Sequence, residues 1–337
     1  QARRMRLLHL STARSWRGGE QQLAYLFDSL QGFPAKQWIA CPKGSALASY
    51  AAEQGIPHFI FKKRIPADPL AAFHLACFCR KADIQLMHAH DSHAHTLACL
   101  GTLWSKSFPP FLVSRRVAFP IKKGILSRWK YQHPGLQLMV CVSNAVRQQL
   151  LRDGLDKDRL RVVYSSIDPQ RFAAGPDGRL RRQLELSAGT PLVGGIGAID
   201  RDKDFFTFVR AAEQLLKKRT AHFVIIGADG GARGEVEQLI RQKNLSNHIT
   251  LTGFRKDIPR ILPELDAFLF TTRFEGLGTS VLDAFAAGVP VVASRTGGIP
   301  EMVEHEQTGL LAEVGNASDF ARQLLRILDD PTLAKFF

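Results

Sequence analysis

The chain alternates short apolar runs with amphipathic stretches, and it does so twice. MRLLHLS, residues 5 to 11, reads as an apolar strand, RGGEQ as a glycine turn, and QQLAYLFDSLQ as a helix with apolar side chains along one face. Further strands are expected at QWIACP, HFIF, IQLMHAH, PFLVSR, LMVCVS and RVVYSS, mostly with helical stretches between them. After residue 190 the pattern restarts. PLVGGIGAI, HFVIIGAD, ITLTGF, AFLFTT and PVVASR read as strands, and FFTFVRAAEQLLKK, RGEVEQLIRQK, TSVLDAFAAG and SDFARQLLRILDD as helices. Parallel neighbours need a long crossover, which a helix supplies, so this alternation means parallel sheets. The expected fold is α/β, with two Rossmann-like doubly wound domains at residues 1–168 and 191–337, joined by a glycine- and proline-bearing linker at 169–190. A chain of 337 residues is long enough for both cores. Open α/β sheets bind ligands beyond the carboxyl ends of their strands, so a substrate is expected where two such domains face each other across a cleft.

Charge divides unequally over this plan. The net charge is +14; residues 1 to 170 hold 24 Lys and Arg against 10 Asp and Glu, while the rest hold 21 against 21. Residues 101 to 150 contain eight basic residues and no acidic one. Within them Lys122, Lys123, Arg128 and Lys130 interleave with Phe119, Ile121, Ile125, Leu126, Trp129 and Tyr131, a pattern suited to an anionic membrane surface, where each charge contributes ~1 kcal/mol. A solvated basic face is the alternative. No nucleic-acid-binding module accompanies the charge, so nucleic acid is not an expected partner. No run approaches the ~20 apolar residues of a membrane span, and neither a signal peptide nor a transmembrane helix is read. The five cysteines are odd in number and scattered in apolar segments, which fits reduced thiols and a cytoplasmic location.

Two stretches carry candidate chemistry. FEGLGTSVLDAFAAGVP, residues 274 to 290, places a glycine turn between a strand end and a helix starting near Thr279. Unpaired N–H groups at a helix start bind phosphate, and Gly276 and Gly278 allow close approach. HAHDSHAH, residues 88 to 95, looks like a metal motif. Zinc ligands must converge, however, whereas His88 and His90 end a strand while His93 and His95, two apart on a helix, diverge. No metal site is expected there.

EGLGTSVLDAFAAGVPVV, followed by ASRTGGIPEMVEHEQTGLL, resembles glycosyltransferase family 4, the group 1 retaining enzymes of GT-B fold, whose hallmark is a glutamate, seven residues and a second glutamate. GAIDRDKDF, VVYSSID and RGGEQ extend the resemblance over nearly the whole chain. It implies transfer of a hexose from a nucleotide diphosphate sugar, UDP before GDP, without a metal or cofactor. The acceptor is a glycan or a lipid-linked molecule bound by the first domain, in cell-envelope polysaccharide or lipopolysaccharide synthesis on the cytoplasmic side of the membrane. It also implies roles. Glu275 holds sugar hydroxyls and His90 orients the ring. Gly197, Lys203, Gly18, Gly19 and the backbone of Gly276, Leu277, Gly278 and Thr279 hold the diphosphate, and Phe254 lines the nucleotide. Asp283 replaces the second glutamate at the donor ribose; Ala198 replaces an arginine for which Arg201 substitutes. Independently of the resemblance, the alternative to membrane docking for LVSRRVAFP is that Arg115 or Arg116 contacts an acceptor phosphate or carboxylate. The competing readings are a non-catalytic nucleotide-sugar-binding relative and a GT-B sugar-nucleotide epimerase.

Overall fold

The computed structural model describes residues 4–122 and 124–337. Residues 1–3 and Lys123, one of the basic residues singled out above, lie outside that description. The chain forms two compact units that divide between Ser165 and Ser166.

In the first unit the strands are β1 (Met5–Leu10), β2 (Ala35–Pro42), β3 (His58–Phe61), β4 (Leu86–Ala89), β5 (Phe111–Arg115), β6 (Leu136–Cys141) and β7 (Leu160–Val162). They form one parallel sheet in the order β3-β2-β1-β4-β5-β6-β7. Helices cover its strands, so Leu8, Leu10, Ile39 and Met87 are wholly buried, and the strands read as apolar runs rather than as alternations. The connecting helices begin on side-chain caps. Asp68 accepts from the N–H groups of Leu70 and Ala71 with Pro69 at the first helical position, and Asp91 accepts from those of His93 and Ala94.

The second unit holds β8 (Leu192–Ile196), β9 (His222–Ile226), β10 (Ile249–Gly253), β11 (Ala267–Phe270), β12 (Val291–Ser294) and β13 (Leu310–Ala312), parallel in the order β10-β9-β8-β11-β12-β13. The alternation did not announce β13, whose three residues are too short a run to stand out. The helix Ala317–Asp329 buries Ala317, Phe320, Ala321, Leu324 and Ile327, one helical stripe. The stretch expected as a linker is different in kind. Phe172 and Leu180 pack into the second core with Leu192, Val224 and Phe268, and Glu264 accepts from the backbone N–H of Leu180 (3.0 Å) and Arg181 (2.8 Å). Residues 169–190 are therefore part of the second unit, and their glycines and prolines mark turns within it. Among the described residues no helix is long and apolar enough to cross a membrane.

Each sheet reverses its winding once, between β1 and β4 in the first unit and between β8 and β11 in the second. In open α/β sheets ligands bind outside the carboxyl ends of the strands at such switch points.

Candidate active site

In the second unit the loops after β8 and β11 build one constellation. Thr271 Oγ1 donates to the carbonyls of Lys203 (3.3 Å) and Asp204 (3.0 Å), Thr272 Oγ1 to that of Asp202 (2.9 Å), and Arg273 N–H to Asp202 as well (2.7 Å). Asp200 accepts from the Lys203 N–H at 2.9 Å. These bonds fix the loop and aim the Lys203 side chain along Gly197, where an added Cβ would already touch the lysine stem at 3.4 Å. The ammonium lies 4.8 Å from the Phe270 ring centroid and is ion-paired to Glu275 Oε2. Glu275 Oε1 accepts from the Gly276 N–H at 3.1 Å. Gly278, at φ +96°, turns the chain into the helix Thr279–Ala286, whose start has no side-chain cap. A dense fixed cation, an adjacent carboxylate and uncapped N–H groups thus meet at the switch point, and together they can bind a diphosphate and hydroxyl groups at once.

Asp283 lies one turn into that helix. Its Oδ1 is buried and accepts no hydrogen bond, and the nearest cation is Arg171 Nη1 at 3.9 Å. Burial raises the carboxyl to about 6, with Arg171 pulling the other way. A buried acceptor without a donor fits a site that a ligand hydroxyl completes. Two of the expected donor contacts sit differently. Arg201 is an exposed side chain held by both oxygens of Glu235 at 2.8 Å, and Phe254 is an exposed ring in the loop after β10. Leu277 is buried, and with Gly276 and Thr279 it offers backbone rather than side chain.

The first unit supplies a chain of hydrogen bonds whose directions are fixed by its ends. Gln37 Nε2 donates to the Phe27 carbonyl (3.0 Å), so its Oε1 accepts from His9 Nε2 (3.0 Å). His9 Nδ1 must then accept from His90 Nε2 (3.1 Å), and His90 Nδ1 accepts from Arg116 Nη2 (3.1 Å). Arg116 Nη1 donates to the Gly19 carbonyl. Burial lowers His9 to about 4 and holds His90 well below the usual histidine range, assisted at His90 by His88 and Arg116. Both rings are neutral at physiological pH. His90, expected to orient a sugar, has both ring nitrogens engaged within its own unit, and Gly18 and Gly19, expected as a turn, instead open the helix Gly18–Ser29. The ligand atoms of His9, His88 and His90 lie within 4.8 Å of one another, a grouping a metal could use. The lone pairs of His9 and His90 are already taken, His88 Nε2 pairs with Ser114 Oγ at 2.8 Å, and the Arg116 cation adjoins them, so the cluster reads as a hydrogen-bond network.

His95 is buried against Phe111 and Tyr131, and His93 is on the surface. Arg115 is turned inward onto Tyr131 Oη (3.2 Å) and the Phe119 carbonyl (2.7 Å). Of the basic stretch, Lys130 also turns inward, whereas Lys122, Ile125, Leu126 and Arg128 stand exposed, Ile125 by 89% and Leu126 by 80%. The sequence reading missed His9, Gln37 and Arg171. His9 and Gln37 had a weak signal: apart from Arg6 and Lys36 near the strand starts, each is the polar residue of its strand.

Residues 190–330 match the family model of the group 1 glycosyl transferases, and residues 16–171 match that of Glycosyltransferase Family 4. The chain is similar to a 2-deoxystreptamine glucosyltransferase of Streptomyces kanamyceticus, 34% identical over 50% of this chain and 45% of that relative. It is also similar to a UDP-Gal:alpha-D-GlcNAc-diphosphoundecaprenol alpha-1,3-galactosyltransferase of Escherichia coli, 26% identical over 58% of this chain and 52% of that relative. The matched stretch thus spans about half the length of these curated relatives. An Anabaena protein crystallised with UDP and glucose shares the fold, with a TM-score of 0.85 at 19% identity over 98% of this chain and 92% of that one.

Proposed function

The chain belongs to the group 1 glycosyltransferases of family 4, and from that premise we propose that it moves a hexose from a UDP-sugar to a glycan or lipid-linked acceptor of the cell envelope, with retention of anomeric configuration and without a metal ion. The observation that carries the reading is the Lys203–Glu275 pair beside the uncapped start of the helix Thr279–Ala286. Breaking the bond from sugar to diphosphate builds negative charge on the departing phosphate oxygen. A fixed ammonium and oriented N–H groups stabilise that charge, and removing one such donor typically costs roughly 10²- to 10³-fold in rate. Glu275 gives up Lys203 to the diphosphate and takes the sugar hydroxyls in exchange. Asp283 accepts from the ribose, which supplies the donors its buried oxygen lacks.

In the retaining course the acceptor oxygen bonds to the anomeric carbon on the face the diphosphate leaves, and the departing phosphate oxygen takes the acceptor's proton. No protein base is required. His90 acts as a positioning residue, keeping Arg116 against Gly19 at the start of the helix Gly18–Ser29. UDP is favoured over GDP, in keeping with the UDP named for the Escherichia coli relative and the Anabaena structure. Lys122, Arg128, Ile125 and Leu126 form a small basic and apolar patch suited to peripheral contact with the cytoplasmic face of an anionic membrane. Proton NMR of the sugar first released from UDP-glucose, UDP-galactose, UDP-N-acetylglucosamine or GDP-mannose tests the reaction. Release of the α-anomer from one UDP-sugar is expected. The β-anomer would overturn retention, and no turnover of any donor would overturn the enzymatic reading.

A further inference from the structure

The two units handle charge differently. The second is laced with ion pairs, Arg181–Asp266 and Arg255–Asp257 among them, whereas in the first, among the described residues, the ion pair within 4 Å is Arg6–Asp83. At the carboxyl edge of the first sheet four cations gather, none of them, among the described residues, with a carboxylate within 4 Å, although Glu20 and Asp91 attract Arg116 from farther off. Arg14 follows β1, Lys63 follows β3, Arg116 follows β5, and Lys130 reaches in from the helix Ile125–Tyr131. Contacts tie them to one place. Arg14 Nη2 donates to the Lys63 carbonyl at 3.3 Å, and Lys130 Nζ donates to Ser92 O (2.6 Å) and Oγ (2.9 Å).

The neighbouring carboxylates are already occupied. Asp91 accepts from the Thr12 N–H (2.6 Å) and hydroxyl (2.7 Å) and from the N–H groups of His93 (2.9 Å) and Ala94 (2.8 Å). Glu20 accepts from the Arg17 N–H (3.1 Å), and Asp68 from those of Arg64 (2.8 Å), Leu70 and Ala71 (both 3.1 Å). Burial lowers Lys130 to about 8, with Arg115 adding to the effect against the pull of Cys99 and Asp91, and burial and then Arg14 lower Lys63 against the pull of Asp91 and Asp68. Such a set of guanidinium and ammonium groups matches a doubly charged oxyanion better than a single carboxylate.

We propose that this edge binds a phosphate or diphosphate group, and hence that the acceptor is a phosphate-bearing molecule. The inference rests on the proposed transferase reading, with the donor held by the second unit. Its test is thermal stabilisation of the whole protein by inorganic pyrophosphate at saturating UDP, for wild type and for the double variant Arg14→Ala, Lys63→Ala. The variant is expected to need about tenfold more pyrophosphate, as for the loss of a charged hydrogen-bonding group, with its response to UDP alone unchanged. No pyrophosphate shift in wild type, or an equal one in the variant, would overturn the proposal. Failure of UDP itself would instead count against the donor reading. Two further arms separate the sources of the phosphate. Flotation with phosphatidylglycerol-containing vesicles but not with pure phosphatidylcholine, lost in the variant, assigns it to a lipid. Displacement of pyrophosphate by glucose 1-phosphate without flotation assigns it to a soluble sugar phosphate.

Discussion

Burial raises the Asp283 carboxyl to about 6 against the opposing pull of Arg171, and this sets a pH dependence with a definite sign. In the unfolded chain an aspartate titrates near ~3.9. Between the two values the native state holds the extra proton, so this residue's contribution is full at low pH and lost as pH rises from about 4 through about 6. Asp283→Asn has no charge to bury. It is expected to be more stable than wild type at pH 7.5, by on the order of 1–3 kcal/mol, and to lose that advantage at pH 4. Thermal midpoints of both proteins at the two pH values check this; a difference that does not change with pH would contradict it. At this scale Lys203, Glu275 and Asp283 were singled out by the resemblance of GAIDRDKDF and EGLGTSVLDAF to family 4, and the fold brings Lys203 and Glu275 into contact. The sequence did not disclose Arg171 or His9. Arg171 meets Asp283 from a turn more than 100 positions away, and His9 meets His90 only through the pairing of β1 with β4.

The elements around the candidate site are held by backbone approaches that leave no space for a side chain. Gly297 follows β12 at φ +55°, and a Cβ there would lie 1.9 Å from the Glu275 carbonyl oxygen. The loop after β12 thus supports the loop after β11 directly. Gly297→Ala combines a strained backbone with a collision that only a shift of Glu275 relieves. We expect UDP affinity to fall by roughly tenfold or more, since a misplaced loop loses at least one charge-assisted contact. Titration calorimetry with UDP, beside circular dichroism to verify folding, measures it; unchanged affinity in a folded variant would show that the two loops are not coupled. GTSVLDAFAAGVP revealed its strand-turn-helix plan because periodicity is local. TGGIP concealed its role, because the contact that demands Gly297 joins loops 22 residues apart in the chain. The short β13 and the packed segment 169–190 were hidden for related reasons: one has too few residues to show a period, and the other has turn residues that also suit a linker.

At the scale of the whole molecule, two doubly wound sheets were legible from alternation alone, since every parallel neighbour requires its own crossover. The charge division was equally legible, as was its concentration between residues 101 and 150. Its meaning was not, because side-chain direction divides one basic stretch into an inward part, Arg115, Arg116 and Lys130, and an outward part around Lys122 and Arg128. In the proposed reaction the second unit holds the nucleotide diphosphate and the first unit an anionic acceptor group. The donor half is the more directly tested. The decisive measurement is the thermal midpoint in EDTA with UDP, GDP and ADP, for wild type, Lys203→Ala and Glu275→Ala. At a hundred times its Kd a ligand stabilises by ~2.7 kcal/mol, a shift of several degrees for a protein of this size. Such a shift is expected for wild type with UDP above the other nucleotides, with most of it lost in Lys203→Ala although that variant folds. A wild type that no nucleotide stabilises, or a Lys203→Ala variant stabilised by UDP as fully as wild type, would contradict it.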